Sequence, residues 1–175
     1  LYDCVDLKLF SKTKETSNYR KNKNFTVLYS GHLYKYKGID TILKAANLLP
    51  EIQFEILGGH PSDIDLLKQS VFDLDLKNVS ILGFVDFSKV PKFLFKADLL
   101  LLPPSGKHPS ANWTSPVKLG EYLASKTPIL ASKIPALINF LTNEEVFFFN
   151  ADDPKNLAEM IIFIKNNDKL AFKKS

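Results

Sequence analysis

The 175 residues are 45% apolar and 24% charged, the balance of an ordinary folded domain, which excludes a disordered chain and leaves room for one core rather than two. No stretch reaches the roughly 18 apolar residues that a membrane-spanning helix needs, since the longest, Ala97 to Pro104, is interrupted by Asp98. The net charge of +4 is modest and its surplus is local, with Lys8, Lys12, Lys14, Arg20, Lys21 and Lys23 crowded into the first stretch, so no aromatic-basic stripe of a nucleic-acid module appears elsewhere.

Residues 1–24 read as an interdomain or leader segment. Its lysines suit a solvated linker, and equally a contact with an anionic membrane surface or a neighbouring domain. Residues 25–175 read as a single domain in which β-rich runs alternate with helical periodicity. Phe25 to Ser30 (FTVLYS) predicts a strand closed by Gly31. Ile39, Ile42, Leu43, Ala46 and Leu49 then fall at helical spacing, with Pro50 as the stop. Gln53 to Leu57 predicts a second strand, closed by Gly58 and Gly59, and Ser62 is placed as the cap of a helix carrying Ile64, Leu67, Lys68 and Val71. Asp63 and Asp65 suit the positive end of that helix.

Val79 to Leu82 is the third predicted strand, a short helix covers Val90 to Lys96, and Leu99 to Leu102 is a strand stopped by Pro103 and Pro104. After a loop over 103–114, Ser115 is read as the cap of a helix from Pro116 to Ser125. Thr127 to Ala131, a short helix over 135–141, Val146 to Phe149 and a helix from Pro154 to Lys165 complete the series. The strands are continuous apolar runs, as in parallel sheets covered on both faces. The expected fold is therefore α/β, one Rossmann-like doubly wound parallel sheet of about six strands, with ligands bound beyond the carboxyl ends of the strands.

The loops at those ends carry the chemistry. Gly31 to Gly38 has a glycine at each end and Lys37 just before a helix, which suits an anion such as a diphosphate. Turn glycines with a surface lysine account for the same residues, because neither G-x-x-x-x-G-K-[ST] nor G-x-G-x-x-G is present. Gly58 and Gly59 let backbone approach a ligand, with His60 beside them, and Gly83-Phe84-Val85 offers a surface for a flat base. The richest segment is Ser105 to Glu121. There Thr114 and Ser115 supply hydroxyls, while Lys118 and Glu121, three apart, share one side of a helix. A lysine suits phosphate and a carboxylate suits ribose hydroxyls, and a surface ion pair in a capped helix fits the same residues. Gly120 inside the helix suggests close packing against strand or ligand. Metal binding is not expected, because Asp63-Ile-Asp65 and Asp73-Leu-Asp75 fall away from the carboxyl ends.

In this order and spacing, LYDCVDLKLF, LYSGHLYKYKGIDTILKAANLLP, FEILGG, VSILGFV, ADLLLLPPS and TSPVKLGEYLASKTPILASKIPAL resemble the C-terminal domain of retaining GT-B glycosyltransferases of family GT4. The resemblance covers nearly the whole chain. It implies a donor-binding domain for a UDP- or GDP-sugar, acting without a cofactor, with an N-terminal acceptor-binding domain and a glycan or lipid-linked acceptor as partners and no nucleic acid. It further implies that Gly31, His32, Gly58, Thr114, Ser115 and Lys118 line the donor phosphates, that Phe84 lies by the base, and that Lys37 and Glu121 carry catalysis through the diphosphate and the ribose. His32 stands where the family usually has arginine, Cys4 where glycine is usual, and Trp113 where the first glutamate of E-x7-E belongs.

A GT-B sugar-nucleotide epimerase shares this scaffold and ligand, and a noncatalytic nucleotide- or protein-binding module is a third reading. The single cysteine, Cys4, excludes an internal disulfide and points to the cytoplasm, with peripheral contact at the inner membrane face. Leu1 is no initiator and the only methionine is Met160, so the chain reads as a piece of a longer protein.

Overall fold

A computed structural model describes residues 5–16, 24–113, 117–167 and 170. Six strands form one sheet: β1 (Thr26–Ser30), β2 (Gln53–Leu57), β3 (Val79–Gly83), β4 (Leu99–Leu102), β5 (Ile129–Ser132) and β6 (Phe147–Phe149). Their order is β3-β2-β1-β4-β5-β6 and every pairing is parallel. The chain thus winds outward from β1 to β3, returns to lie beside β1 as β4, and winds outward the other way. That reversal makes a crevice at the carboxyl ends of β1 and β4.

Among the described residues seven α-helices cover the sheet: α1 (Leu7–Thr16), α2 (Ile39–Leu48), α3 (Pro61–Asp73), α4 (Val90–Lys96), α5 (Val117–Ser125), α6 (Pro135–Ile138) and α7 (Pro154–Lys165). Successive side chains of a strand point to opposite faces, and each strand here feeds two cores. Val27, Tyr29, Leu99 and Leu101 pack with α2 and α7 on one face. Leu28 and Leu100 pack with α4, α5 and α6 on the other. This double burial is why β1 is buried at all five positions and why β4 is leucine throughout, while β2 alternates partly buried Gln53 and Glu55 with buried Phe54 and Ile56.

The structure differs locally from the sequence expectation in three places. Leu7–Thr16 forms a helix within the segment read as a leader. Its Phe10 is 3% exposed and meets Phe95 of α4 edge to face at 6.1 Å. Two apolar anchors, Phe10 and the partly buried Val5, were hidden among the lysines. Secondly, α3 begins two residues earlier than expected: His60 is its cap residue and Pro61 its first residue, so Ser62 lies inside the helix. Proline fixes the helical φ at that first position without losing a hydrogen bond. Thirdly, Gly120 faces Val5, where an added Cβ would sit at an ordinary 3.6 Å, so within the protein it packs against the N-terminal segment and not against a strand. Among the described residues no helix is long and apolar enough to cross a membrane.

Candidate functional site

The crevice is shaped by where the β1–β4 ladder stops. The last paired residues are Tyr29 and Leu101; beyond them the strands part. Tyr122 of α5, fully buried, pushes its phenol into that gap. The oxygen accepts from the Ser30 N–H at 2.9 Å and reaches the Leu101 carbonyl, to which it donates, at 3.2 Å. Burial pushes the Tyr122 hydroxyl well above the ordinary phenol range, so it keeps the proton that this bridge needs. Sequence reading missed Tyr122. The available signal was a tyrosine next to Glu121 on an apolar helix face, where a buried hydroxyl must find a partner.

Two glycines bring the loops together. Gly38 has φ 81°, and a Cβ there would come within 1.8 Å of the Pro103 carbonyl, so the loop after β1 seats directly on the loop after β4. The Ser105 N–H then donates to the Tyr36 carbonyl at 2.8 Å. Gly58, at φ 110°, lies so close to Gly31 that a Cβ would fall 2.3 Å from the Gly31 carbonyl. Only glycine permits such main-chain contact at these dihedrals.

Beside the loops after β1, β2 and β3 opens a cleft of about 470 Å³. Ser30, Gly31 and His32 form one side, and Leu57 to Pro61 form the next. Phe84, Val85, Val90 and Lys118 complete the wall. Phe84 is 81% exposed, a free flat surface at the rim. The His32 and His60 rings stack with centroids 6.1 Å apart, and the column continues through Tyr34 and Tyr36 to His108. His108 on Tyr36, 4.4 Å apart, ties the loop after β4 to the loop after β1 a second time.

Lys118 and Glu121 meet as the spacing predicts. The Lys118 ammonium donates to both oxygens of the Glu121 carboxylate, at 2.9 and 3.0 Å. Glu121 is 6% exposed and sits behind Lys118, which alone of the two lines the cleft. Lys37 stands outside the cleft wall, half-buried at the start of α2, with its ammonium 5.2 Å from the centre of the Tyr36 ring. Burial lowers its pKa from the usual lysine value.

Thr114 and Ser115 lie outside the described residues. Trp113 ends a short 3-10 turn, Pro109–Asn112, and is 76% exposed. The acidic pairs are engaged locally: Asp65 with Lys68 at 3.3 Å, Asp73 accepting from Gln69 at 2.6 Å, and Asp75 with Lys77. Among the described residues no cluster of three or more His, Cys, Asp or Glu side chains is arranged to hold a metal. The cleft therefore offers close-approaching backbone, a flat aromatic and a lysine, features that suit a ligand with a planar end and an anionic end.

Comparison with known proteins points the same way. The family described as glycosyl transferases group 1 matches residues 11–173. The O-antigen chain mannosyltransferase RfbU of Salmonella typhimurium is 28% identical over 172 residues, 97% of this chain but 44% of RfbU; the chain thus spans under half of that relative. Among solved structures, Anabaena HepE in complex with UDP and glucose superposes with a TM-score of 0.78 at 19% identity, over 99% of this chain and 49% of HepE. The C-terminal domain of LpcC, a glycosyl transferase group 1 protein of Francisella tularensis, gives 0.69 at 19% identity over 97% of this chain and 92% of that domain.

Proposed function

The chain belongs to the glycosyl transferases group 1 family, and from that premise we propose that it is the donor-binding half of an enzyme that moves a hexose-type sugar from a UDP- or GDP-sugar to a glycan or lipid-linked acceptor with retention of configuration. The observation that carries this reading is the cleft at the carboxyl ends of the strands, where the glycine backbone of two loops, Phe84 and Lys118 converge, with Glu121 bonded to Lys118. Solved neighbours that hold UDP support a nucleotide in the equivalent half. The acceptor is assigned to an N-terminal domain, in keeping with relatives about twice as long. The reaction is placed in the cytoplasm, at the inner membrane face where a lipid-linked acceptor is presented.

In this reading the base lies against Phe84 and the ribose hydroxyls meet Glu121. The diphosphate runs along Gly31, His32 and Gly58 toward Lys37, with Thr114 and Ser115 at its far side. Departure of a nucleoside diphosphate builds negative charge on its terminal phosphate, and fixed cations there lower the barrier. Lys37 supplies such a charge. Trp113 stands where the family has a carboxylate, so the transferred sugar receives no anion from that position.

Titration with UDP, GDP and their sugars tests the assignment. Saturable binding is expected, weakened at least tenfold in Lys37→Ala and in Glu121→Ala; no saturable response, or none that these substitutions alter, refutes it. Incubation with donor and no acceptor separates the epimerase alternative, which alone converts the sugar nucleotide to a stereoisomer.

A further inference from the structure

We propose that Tyr29 is the positioning residue of the loop after β1: its phenol draws the His32 carbonyl away from the cleft and so presents backbone N–H groups to the donor's diphosphate. This rests on the cleft being the nucleotide site. The Tyr29 hydroxyl donates to the His32 carbonyl at 2.6 Å, and the side chain is 4% exposed in the core that packs with α2 and α7. A Cβ on Gly31 would come within 3.0 Å of the same phenol oxygen, so glycine at that position leaves the phenol its place. Burial raises the Tyr29 hydroxyl far above the ordinary phenol range, which keeps it a donor through neutral and mildly alkaline pH.

The two glycines that line the cleft have already used their own donors. The Gly31 N–H donates to the Leu57 carbonyl at 2.9 Å and the Gly58 N–H to the Gly83 carbonyl at 2.7 Å. The N–H groups of His32 and Leu33, by contrast, have no acceptor among the described residues. In a planar trans peptide the C=O and the N–H point in opposite directions. The oxygen of the peptide joining His32 to Leu33 is drawn to the sheet face that Tyr29 occupies, so the N–H of that peptide is turned the other way. Val90 packs in the core on that other face, and α5, which carries Lys118, covers it; both residues belong to the cleft wall. Without the phenol the peptide loses its one hydrogen bond among the described residues, and a carbonyl swung toward the cleft would repel a phosphate oxygen. Holding it back beforehand spares the ligand the cost of ordering the loop.

The test titrates isotope-labelled protein with UDP and uridine, and with GDP and guanosine, and follows the amide resonances. These yield affinities down to the millimolar range and show the His32 and Leu33 amides directly. In the unaltered protein the diphosphate is expected to move those two amide protons downfield, as bonds to a charged acceptor do, and the nucleoside is not. Tyr29→Phe keeps the ring and removes one oxygen. It is expected to lose about tenfold or more in diphosphate affinity, the scale of one hydrogen bond to a charged group, while nucleoside affinity stays within about twofold. Thr127→Val is the control, deleting another buried hydroxyl, one that donates to the Leu94 carbonyl at 2.9 Å just before β5, at the far end of the sheet from the cleft. It should leave both affinities within about twofold, as a distant and independent site does.

A Tyr29→Phe variant that binds the diphosphate as tightly as its parent overturns the inference. A loss shared equally by diphosphate and nucleoside overturns it too, since the phenol then only supports the fold. Saturable diphosphate binding that leaves the His32 and Leu33 amides unmoved overturns it on the unaltered protein, whatever the stability of the variant. Binding of nucleoside with no gain from the diphosphate, or of neither ligand, removes the donor reading itself.

Discussion

Replacing Tyr122 by phenylalanine isolates the hydroxyl that bridges the parting strands. The ring stays in its fully buried place among Leu28, Leu100 and Ile129, so no cavity opens larger than one oxygen. What disappears is the acceptor for the Ser30 N–H and the donor to the Leu101 carbonyl. Neither has a strand partner across β1 and β4 beyond Tyr29 and Leu101. A buried polar group left unsatisfied costs about 1–3 kcal/mol; the N–H is the stricter case, and relief of the phenol's own desolvation offsets part of the sum. The expected loss is about 2 kcal/mol, a fall in Tm of about 4–8 °C for a chain of this length. Urea unfolding at pH 7 measures it, with Tyr34→Phe on an exposed ring as the control, expected within about 0.5 kcal/mol of the unaltered protein. A loss for Tyr122→Phe no larger than that of the control refutes the bridging role, as does a loss accompanied by a changed m-value, which would mean a different unfolding reaction.

Gly38→Ala should be among the most damaging single-methyl changes, because the added carbon would lie 1.8 Å from the Pro103 carbonyl at φ 81°. A loss above about 2 kcal/mol is expected from strain and displaced loops, read as a fall in Tm together with weakened nucleotide binding; an alanine variant as stable as its parent contradicts the close loop seating. Lys37 gives the site a pH dependence. Burial lowers its pKa, so between that lowered value and the usual lysine range the folded chain holds fewer protons than the unfolded one, and stability of the free protein rises with pH through that window. A bound diphosphate favours the protonated form, so its affinity should fall as pH climbs through the same window, starting below the usual lysine pKa. Lys37→Arg should flatten that fall in titrations across alkaline pH; an identical profile in the arginine variant excludes Lys37 as the titrating group.

Much of the fold was legible because it rests on local rules. A strand buried on both faces is largely apolar, so FTVLYS and LLLL announced β1 and β4 in a line of text, and QFEIL announced β2 although its Gln53 and Glu55 are only partly buried. Proline and glycine marked where helices start and stop. The i, i+3 spacing of Lys118 and Glu121 placed both on one side of α5 wherever that helix lay. Three features were beyond local rules. Phe10 was obscured by the lysines around it, since one buried ring is enough to dock a short helix and leaves no periodic trace. Glu121 could be placed near a ligand, but not behind Lys118, because depth depends on what covers the helix. Tyr122 had no recognisable role until β1 and β4, some seventy residues apart, were neighbours.

The sequence by itself thus determined the strands, the helices after β1 and the residue types at each strand end, because period, punctuation and capping act over a few residues. Only the tertiary structure decided that β4 returns to the side of β1. That reversal sets the loop after β1 on the loop after β4, puts the Tyr122 hydroxyl in the gap between the strands, and leaves Glu121 buried with Lys118 partly exposed over it, because sheet order is fixed by contacts between segments far apart in the chain.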